Sequence, residues 1–246
     1  MRPLDRQAAN NFVNTEIVYF HEKRLGRLEA IDLNEVLKKK NPYLFKAKNI
    51  TNAGGLISGI LGAFLSSSEE KLFGDFLEQL AIFISSQTNG GKKSSAKGVD
   101  LEFDRENTRY IVSIKSGPNW GNSSQYASLR ESLRKAVVRQ KQGTSLAIQP
   151  ILGICYGKVR KRDTGLYIKL VGQQFWHFLS GDPDFYIDII EPIGHRAKQH
   201  NEDFEEKRSA IENRFTHEFI EQFCHEDGTI DWPKLVEFNS GNLRGS

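Results

Sequence analysis

Cysteine is scarce in this chain: Cys155 and Cys224 are the two among 246 residues. Their wide separation excludes both a disulfide-stapled small scaffold and a cysteine-based metal cluster, and both are expected to be free thiols in a reducing compartment. Long apolar runs are also missing. The stretch Ala53 to Leu65 is apolar but short, carries four glycines and suits a packed helix or a loop, so nothing approaches the roughly 20 residues of a membrane span. No basic-plus-apolar leader opens the chain, which makes the cytoplasm the expected location and excludes a membrane partner. A strong charge of either sign is absent as well, the net charge being +3. His177, His195, His200, His217 and His225 show no metal-ligand spacing. An apolar content of 38% beside 26% charged residues describes an ordinary folded protein.

The length suits one large core, read as a single domain over 1–246. Within it, 1–68 is a helical amino-terminal region able to dimerise, 69–195 the core, and 196–246 a helical carboxy-terminal part. Val13, Ile17 and Phe20 space one buried stripe in the first region, and the next helix is expected from Glu69 to Ile84. Leu146 to Tyr156 and Leu166 to Val171 read as apolar strands. Gln173 to Leu179 reads as a short aromatic helix, and Phe185 to Ile190 as a strand or apolar segment. Ile211, Phe215, Phe219 and Phe223 stand at four-residue steps, predicting one amphipathic helix over 202–224. The fold class that follows is α/β, a mixed central sheet flanked by helices.

The densest information lies in Gly98 to Phe103 and Tyr110 to Lys115. Side chains alternate along a strand, and opposed residues of an antiparallel pair share a face. Burying Leu101 and Phe103 together with Tyr110, Val112 and Ile114 therefore pairs Leu101 with Val112 and sets Asp100 opposite Ser113. Arg105 to Thr108 is left as a four-residue loop. Lys115 then lies on the diagonal from Asp100, roughly 7–8 Å between backbones. Such a gap fits a metal ion, a water and a phosphate. A carboxylate-held Mg2+ can position a water and stabilise the charge of phosphodiester hydrolysis, and an adjacent ammonium can neutralise the transition state. The plainer reading is a polar hairpin face on which Asp100, Glu102 and Asp104 pair with Lys115 and Arg109.

Basic residues gather locally despite the small net charge. Lys92, Lys93 and Lys97 precede the first strand. Arg130, Arg134, Lys135, Arg139 and Lys141 stud the helix after the second, and Lys158, Arg160, Lys161 and Arg162 form a third cluster. Clusters of this kind can hold DNA phosphates, although a basic run is ordinarily a solvated face. The loop from Ser116 to Ser124 is rich in Gly, Asn and Ser and leads into a helix that Ser123 or Ser124 is expected to cap. Asn119, Asn122, Ser123 and Gln125 offer polar groups to bases or phosphates there. Trp120 either joins them or plugs the core.

Asp100 followed by Ser113-Ile114-Lys115 on the next strand resembles the PD-(D/E)XK nuclease superfamily. The longer strings Ser113 to Gln125 and Lys40 to Ile50 resemble type II restriction endonucleases of the PmeII type, with similarity from about Asn41 to Phe238. The resemblance implies a restriction-endonuclease-like core and Mg2+-dependent cleavage of double-stranded DNA at a short GC-rich palindrome. It makes Asp100 and Lys115 the catalytic acid and lysine. Ser113 departs from the usual acidic residue at its position, which moves the second metal-binding carboxylate elsewhere. Glu78 on the preceding helix is favoured, with Glu131 and Glu102 as alternatives. A homodimer suits a palindrome, and the resemblance implies a companion methyltransferase without a stable complex. A repair or junction nuclease of the same fold, or a DNA-binding module without chemistry, remains an alternative reading.

Overall fold

The computed structural model describes residues 1–159 and 162–242. The chain divides into two compact units, one of Met1–Tyr19 with Phe73–His195, the other of Phe20–Leu72 with Arg196–Ser246. Helices α1 (Arg6–Glu29) and α4 (Ala53–Asn89) each belong in part to both.

The first unit is built on a six-stranded mixed sheet. Its strands are β1 (Lys92–Lys93), β2 (Leu101–Arg105), β3 (Thr108–Lys115), β4 (Ala147–Ile154), β5 (Arg162–Asp163) and β6 (Ile168–Val171). They lie in the order β1-β2-β3-β4-β6-β5. β1, β2 and β3 pair antiparallel, β3, β4 and β6 pair parallel, and β5 closes the far edge antiparallel. The crossover from β3 to β4 is helix α5 (Ser123–Lys141), as a parallel connection requires. Leu129, Leu133 and Ala136 recur at helical spacing along α5, and they bury against Ile111, Leu152, Ile154 and Val171 of the sheet. After β6 come α6 (Gln173–Ser180), α7 (Phe185–Asp188) and α8 (Ile190–Ile193). Phe175 and Trp176 of α6 are fully buried, as core residues rather than a stacking platform.

The second unit is helical. It combines parts of α1 and α4 with α2 (Leu33–Lys39), α3 (Pro42–Ala47), α9 (Ala197–Phe223) and α10 (Trp232–Ser240). Ile211, Phe215, Phe219 and Phe223 of α9 bury in one cluster with Leu28, Leu33, Leu37, Leu56, Ile57 and Leu61, so the four-residue spacing does mark the core-facing stripe. Both cysteines are free, and among the described residues no helix is long and apolar enough to cross a membrane.

Three local expectations are corrected. The hairpin loop is two residues, not four: Glu106 and Asn107 both take positive φ, and Arg105 pairs directly with Thr108. That conformation matches the right-handed twist of the flanking strands. Phe185 to Ile190 is helical, because Phe185, Ile189 and Pro192 are buried at helical rather than alternating spacing. The helix expected from Glu69 begins at Ala53, where Asn52 accepts a hydrogen bond from the Gly55 N–H at 2.7 Å. Burial of Leu56, Ile57, Ile60, Leu61 and Leu65 outweighs the glycines there.

Two outcomes test this packing. The Phe175 ring lies 2.1 Å from where a Cβ on Gly153 would stand. Gly153→Ala is therefore expected to destabilise the protein by about 1–3 kcal/mol through overpacking, read as a lower urea midpoint at unchanged slope. In the second unit, the rings of His21 and His200 stack at 4.5 Å, and His21 Nδ1 and His200 Nε2 are buried without partners. Burial first, then the charges of His200 and Arg24, push the His21 imidazole down to about 4. An unfolded histidine binds its proton near pH 6.5, so between about 6.5 and 4 the unfolded chain takes up a proton that the folded one refuses, and stability falls as pH falls. As pH falls across that window the melting temperature of wild type should drop relative to that of His21→Phe; parallel curves would remove the assignment.

Candidate active site

The three parallel strands end together at their carboxyl termini, with Lys115 last on β3, Ile154 last on β4 and Val171 last on β6. Open α/β sheets gather binding loops at that end. Here the Cys155 N–H donates to the Lys115 carbonyl at 2.9 Å, the Tyr156 N–H to the Ser116 carbonyl at 3.2 Å, and the Gly172 N–H to the Ile154 carbonyl at 2.9 Å. The exposed Tyr156 ring lies over Gly117, within 2.4 Å of where a Cβ there would stand, so a larger residue at 117 would displace that ring.

Asp100 stands just before β2, whose first pair is Leu101 with Val112. Its main-chain N–H donates at 2.8 Å to the carbonyl of Val112, the partner of Leu101, rather than to that of Ser113. The Asp100 carboxylate is held through Oδ2, which accepts from the Ile114 N–H at 2.6 Å and from the buried Ser113 hydroxyl at 3.4 Å. Lys115 Nζ lies 3.9 Å from the same oxygen and donates to the Ile114 carbonyl at 2.8 Å. The ammonium also sits 5.6 Å from the centre of the Trp120 ring, a distance at which the ring's negative face attracts it.

Glu78 comes from the middle of α4 and is half-buried. Its carboxyl is raised above the ordinary range, first by burial and next by the negative charge of Asp100; Lys93 and Lys115 oppose the shift. Lys93 Nζ stands 3.5 Å from Glu78 Oε1. Two carboxylates that repel each other beside an ammonium are therefore brought together from α4, the start of β2 and the end of β3. Cys155, next to Lys115 through the sheet, is buried, and its thiol is pushed well up by that burial and by Glu78; it stays protonated and is no nucleophile.

The other two acids are engaged elsewhere. Glu131 is exposed on α5 and pairs with Lys135 at 3.2 Å one helical turn on. Glu102 meets Lys92 at 3.4 Å and accepts from Ser94 and from Gln140, each at 3.2 Å. Arg109 forks onto Asp104 at 2.7 and 2.9 Å and Lys115 pairs with Asp100 at 3.9 Å, so both ends of the hairpin carry ion pairs of the plainer polar-face reading, and what that reading leaves out is Glu78 from α4. Among the described residues no group of three His, Cys, Asp or Glu side chains could hold a metal ion; the oxygen donors on offer are the Asp100 and Glu78 carboxylates.

The remaining residues are distributed as follows. Asn122, not Ser123 or Ser124, caps α5: its side chain accepts from the Gln125 N–H at 3.1 Å, and Gln125 accepts in return from the Asn122 N–H at 2.8 Å. Both side chains thus use their oxygens within a capping box, while their amino groups stay on the exposed surface with Asn119 and Ser123. Trp120 packs on Tyr126 at 4.5 Å between ring centres and lies half-buried against the sheet core, with its indole N–H unpartnered. Arg130 and Arg134 are exposed on α5. Lys97 borders a recess of about 300 Å3 with Glu131, Lys135 and Arg139. Arg160 and Lys161 lie outside the described residues. The approach of Trp120 to Lys115 and of Tyr156 to Gly117 had no signal in residue spacing; only the glycines around them hinted at a crowded turn.

Among curated proteins, none matches the chain significantly. A family model described as type II restriction endonuclease EcoO109I matches residues 7–201. That span covers the sheet, α5 and every described residue around Asp100, and the chain belongs to this family of type II restriction endonucleases.

Proposed function

We propose that the chain hydrolyses phosphodiesters of double-stranded DNA with Mg2+ at a PD-(D/E)XK centre of the PmeII type, made of Asp100, Glu78 and Lys115, with Ser113 positioning Asp100. The observation that carries the reading is the meeting of two carboxylates and one ammonium at the end of β3. The donor set suits the ion, since carboxylate oxygens are hard ligands and Mg2+ needs few of them. Burial first, and then the negative charge of Asp100, raise the Glu78 carboxyl, and a divalent cation would relieve the second of these. Asp100 and Glu78 would hold the ion, and when bound it would supply positive charge and lower the pKa of a water.

The chain's own groups do the rest. The Ile114 N–H and Ser113 hydroxyl fix Asp100 through Oδ2, which leaves Oδ1 as the outward oxygen. Lys115 Nζ presents its N–H donors to the phosphate, stabilising the charge that develops on its non-bridging oxygens. Trp120 and the Ile114 carbonyl restrain that ammonium, so little reorganisation is needed when substrate arrives. The exposed arginines of α5, with Lys97, Arg160 and Lys161, supply phosphate contacts, while Lys92 and Lys93, paired with Glu102 and Glu78, are a weaker source of them. The Asn119 to Gln125 segment faces the bases of a short GC-rich palindrome. Two copies about a two-fold axis would give one centre per strand, with 1–68 contributing to dimerisation and a separate methyltransferase protecting the same site.

Digestion of plasmid DNA tests the reading directly. Discrete fragments formed with Mg2+ and abolished by EDTA are expected; smearing or a preference for branched DNA would transfer the chain's activity to repair. Asp100→Ala and Lys115→Ala should each lower cleavage by about 10²–10³-fold or more while gel shifts in EDTA remain close to wild type, and normal turnover in either would overturn the assignment. In matched kinetics Glu78→Gln should lower the rate well below that of Glu131→Gln; the reverse order would transfer the second carboxylate to α5.

A further inference from the structure

A second cationic surface lies in the helical unit, apart from the residues discussed so far. No aspartate or glutamate occurs from Val36 to Ser68, while Lys38, Lys39, Lys40, Lys46 and Lys48 fall within the first part of that stretch. A basic face that merely keeps a protein soluble usually interleaves both signs. Here the recorded ion pair among the described residues is Lys39 with Glu35, one turn earlier, and Lys40 donates to the Ala63 carbonyl at 3.0 Å. Lys38, Lys46 and Lys48 instead lie 5.3, 5.2 and 5.8 Å from the ring centres of Phe238, Trp232 and Phe45. Their stems are steadied by aromatic surface, and their positions are exposed.

The scaffold beneath them is fixed. Asn41 accepts from the Tyr43 and Leu44 N–H groups at 3.0 and 3.3 Å, and Asn239 of α10 donates to the Leu37 and Lys40 carbonyls at 2.6 and 3.1 Å. Both ends of the α2–α3 turn are thereby held, and the carbonyls that would attract the lysines inward already have donors. Tyr43, 63% exposed, lies in the same stretch of chain and has a hydroxyl able to donate to an anionic oxygen. The acids on the neighbouring α10 are Asp231, whose side chain caps that helix, and Glu237.

We propose that Lys38, Lys46 and Lys48 form a phosphate-contacting surface for duplex DNA, a sequence-independent hold separate from the cleavage centre. Exposed ammoniums without a carboxylate partner among the described residues can meet the phosphates of a duplex, and the gain on binding comes from release of condensed counterions. The inference rests on DNA being the substrate, as proposed for the site at the end of β3.

The full chain, in EDTA so that no cleavage intervenes, should be titrated against a fluorescent duplex of unrelated sequence over a range of salt. Each phosphate contact contributes about 0.9 to the slope of log K against log salt. The triple variant Lys38→Gln/Lys46→Gln/Lys48→Gln should flatten that slope by about 2–3 and weaken binding by about tenfold or more near 0.1 M salt. Arginine at the same three positions should retain the wild-type slope, which separates lost charge from lost folding. An unchanged slope in the glutamine variant overturns the proposal, and in a wild type that still cuts plasmid it does so without touching the nuclease reading. A flattened slope in a protein that never cuts would keep this surface and sink the cleavage centre alone.

Discussion

The hydrogen bond from the Ile114 N–H to Asp100 Oδ2 is the contact on which the rest of the site depends. It ties the carboxylate of one strand to the backbone one residue ahead of Lys115, so the separation of acid and amine is set by β geometry rather than by flexible side chains. That bond exists only in one register. A slip of a single residue would turn Asp100 to the opposite face and Leu101 toward the site. The register is held from both ends: by the Glu106-Asn107 turn, whose two positive φ values permit only a tight reversal, and by the burial of Leu101 and Val112 as direct partners. Ser113 then makes chemical sense. The hydroxyl there donates to Asp100, whereas a second carboxylate so close would repel it.

Moving the second acid to a helix changes what the site asks of the fold. Glu78 reaches the strands from α4, so its distance from Asp100 depends on helix-to-sheet packing, which is looser than strand pairing. The compensation is electrostatic: Lys93 from β1 meets Glu78, and Lys115 opposes the same shift. In the proposed site, an adjustable second carboxylate and a rigid first one would let a cation enter and then settle around it.

Much of this was legible in the chain because alternation and helical spacing leave direct marks. The Leu101–Val112 register followed from which residues needed burial, and the α9 stripe followed from phenylalanines at four-residue steps. What escaped had opposing local and tertiary signals. The glycines between Ala53 and Leu65 argue against a helix, yet leucines and isoleucines at helical spacing are buried there and win. Phe185 to Ile190 is short enough that apolar content fits strand or helix equally. Ser123 and Ser124 are good caps, but Asn122 has Gln125 three residues on and forms the reciprocal pair. The meeting of Trp120 with Lys115 depends on a loop whose path no periodicity encodes.

Net charge illustrates the same limit. A value of +3 sums lysines that are matched and lysines that are not. Lys92, Lys93 and Lys135 face Glu102, Glu78 and Glu131, so part of what looks like a DNA-binding cluster along the sequence is internal neutralisation. The lysines from Lys38 to Lys48 look less prominent in a count, yet four of the five recorded positions there lack a carboxylate partner among the described residues. A phosphate row responds to charge that remains uncompensated at the surface, because only that charge has counterions to displace. For this chain the pairing of each cation, more than its presence, decides where a duplex can be held.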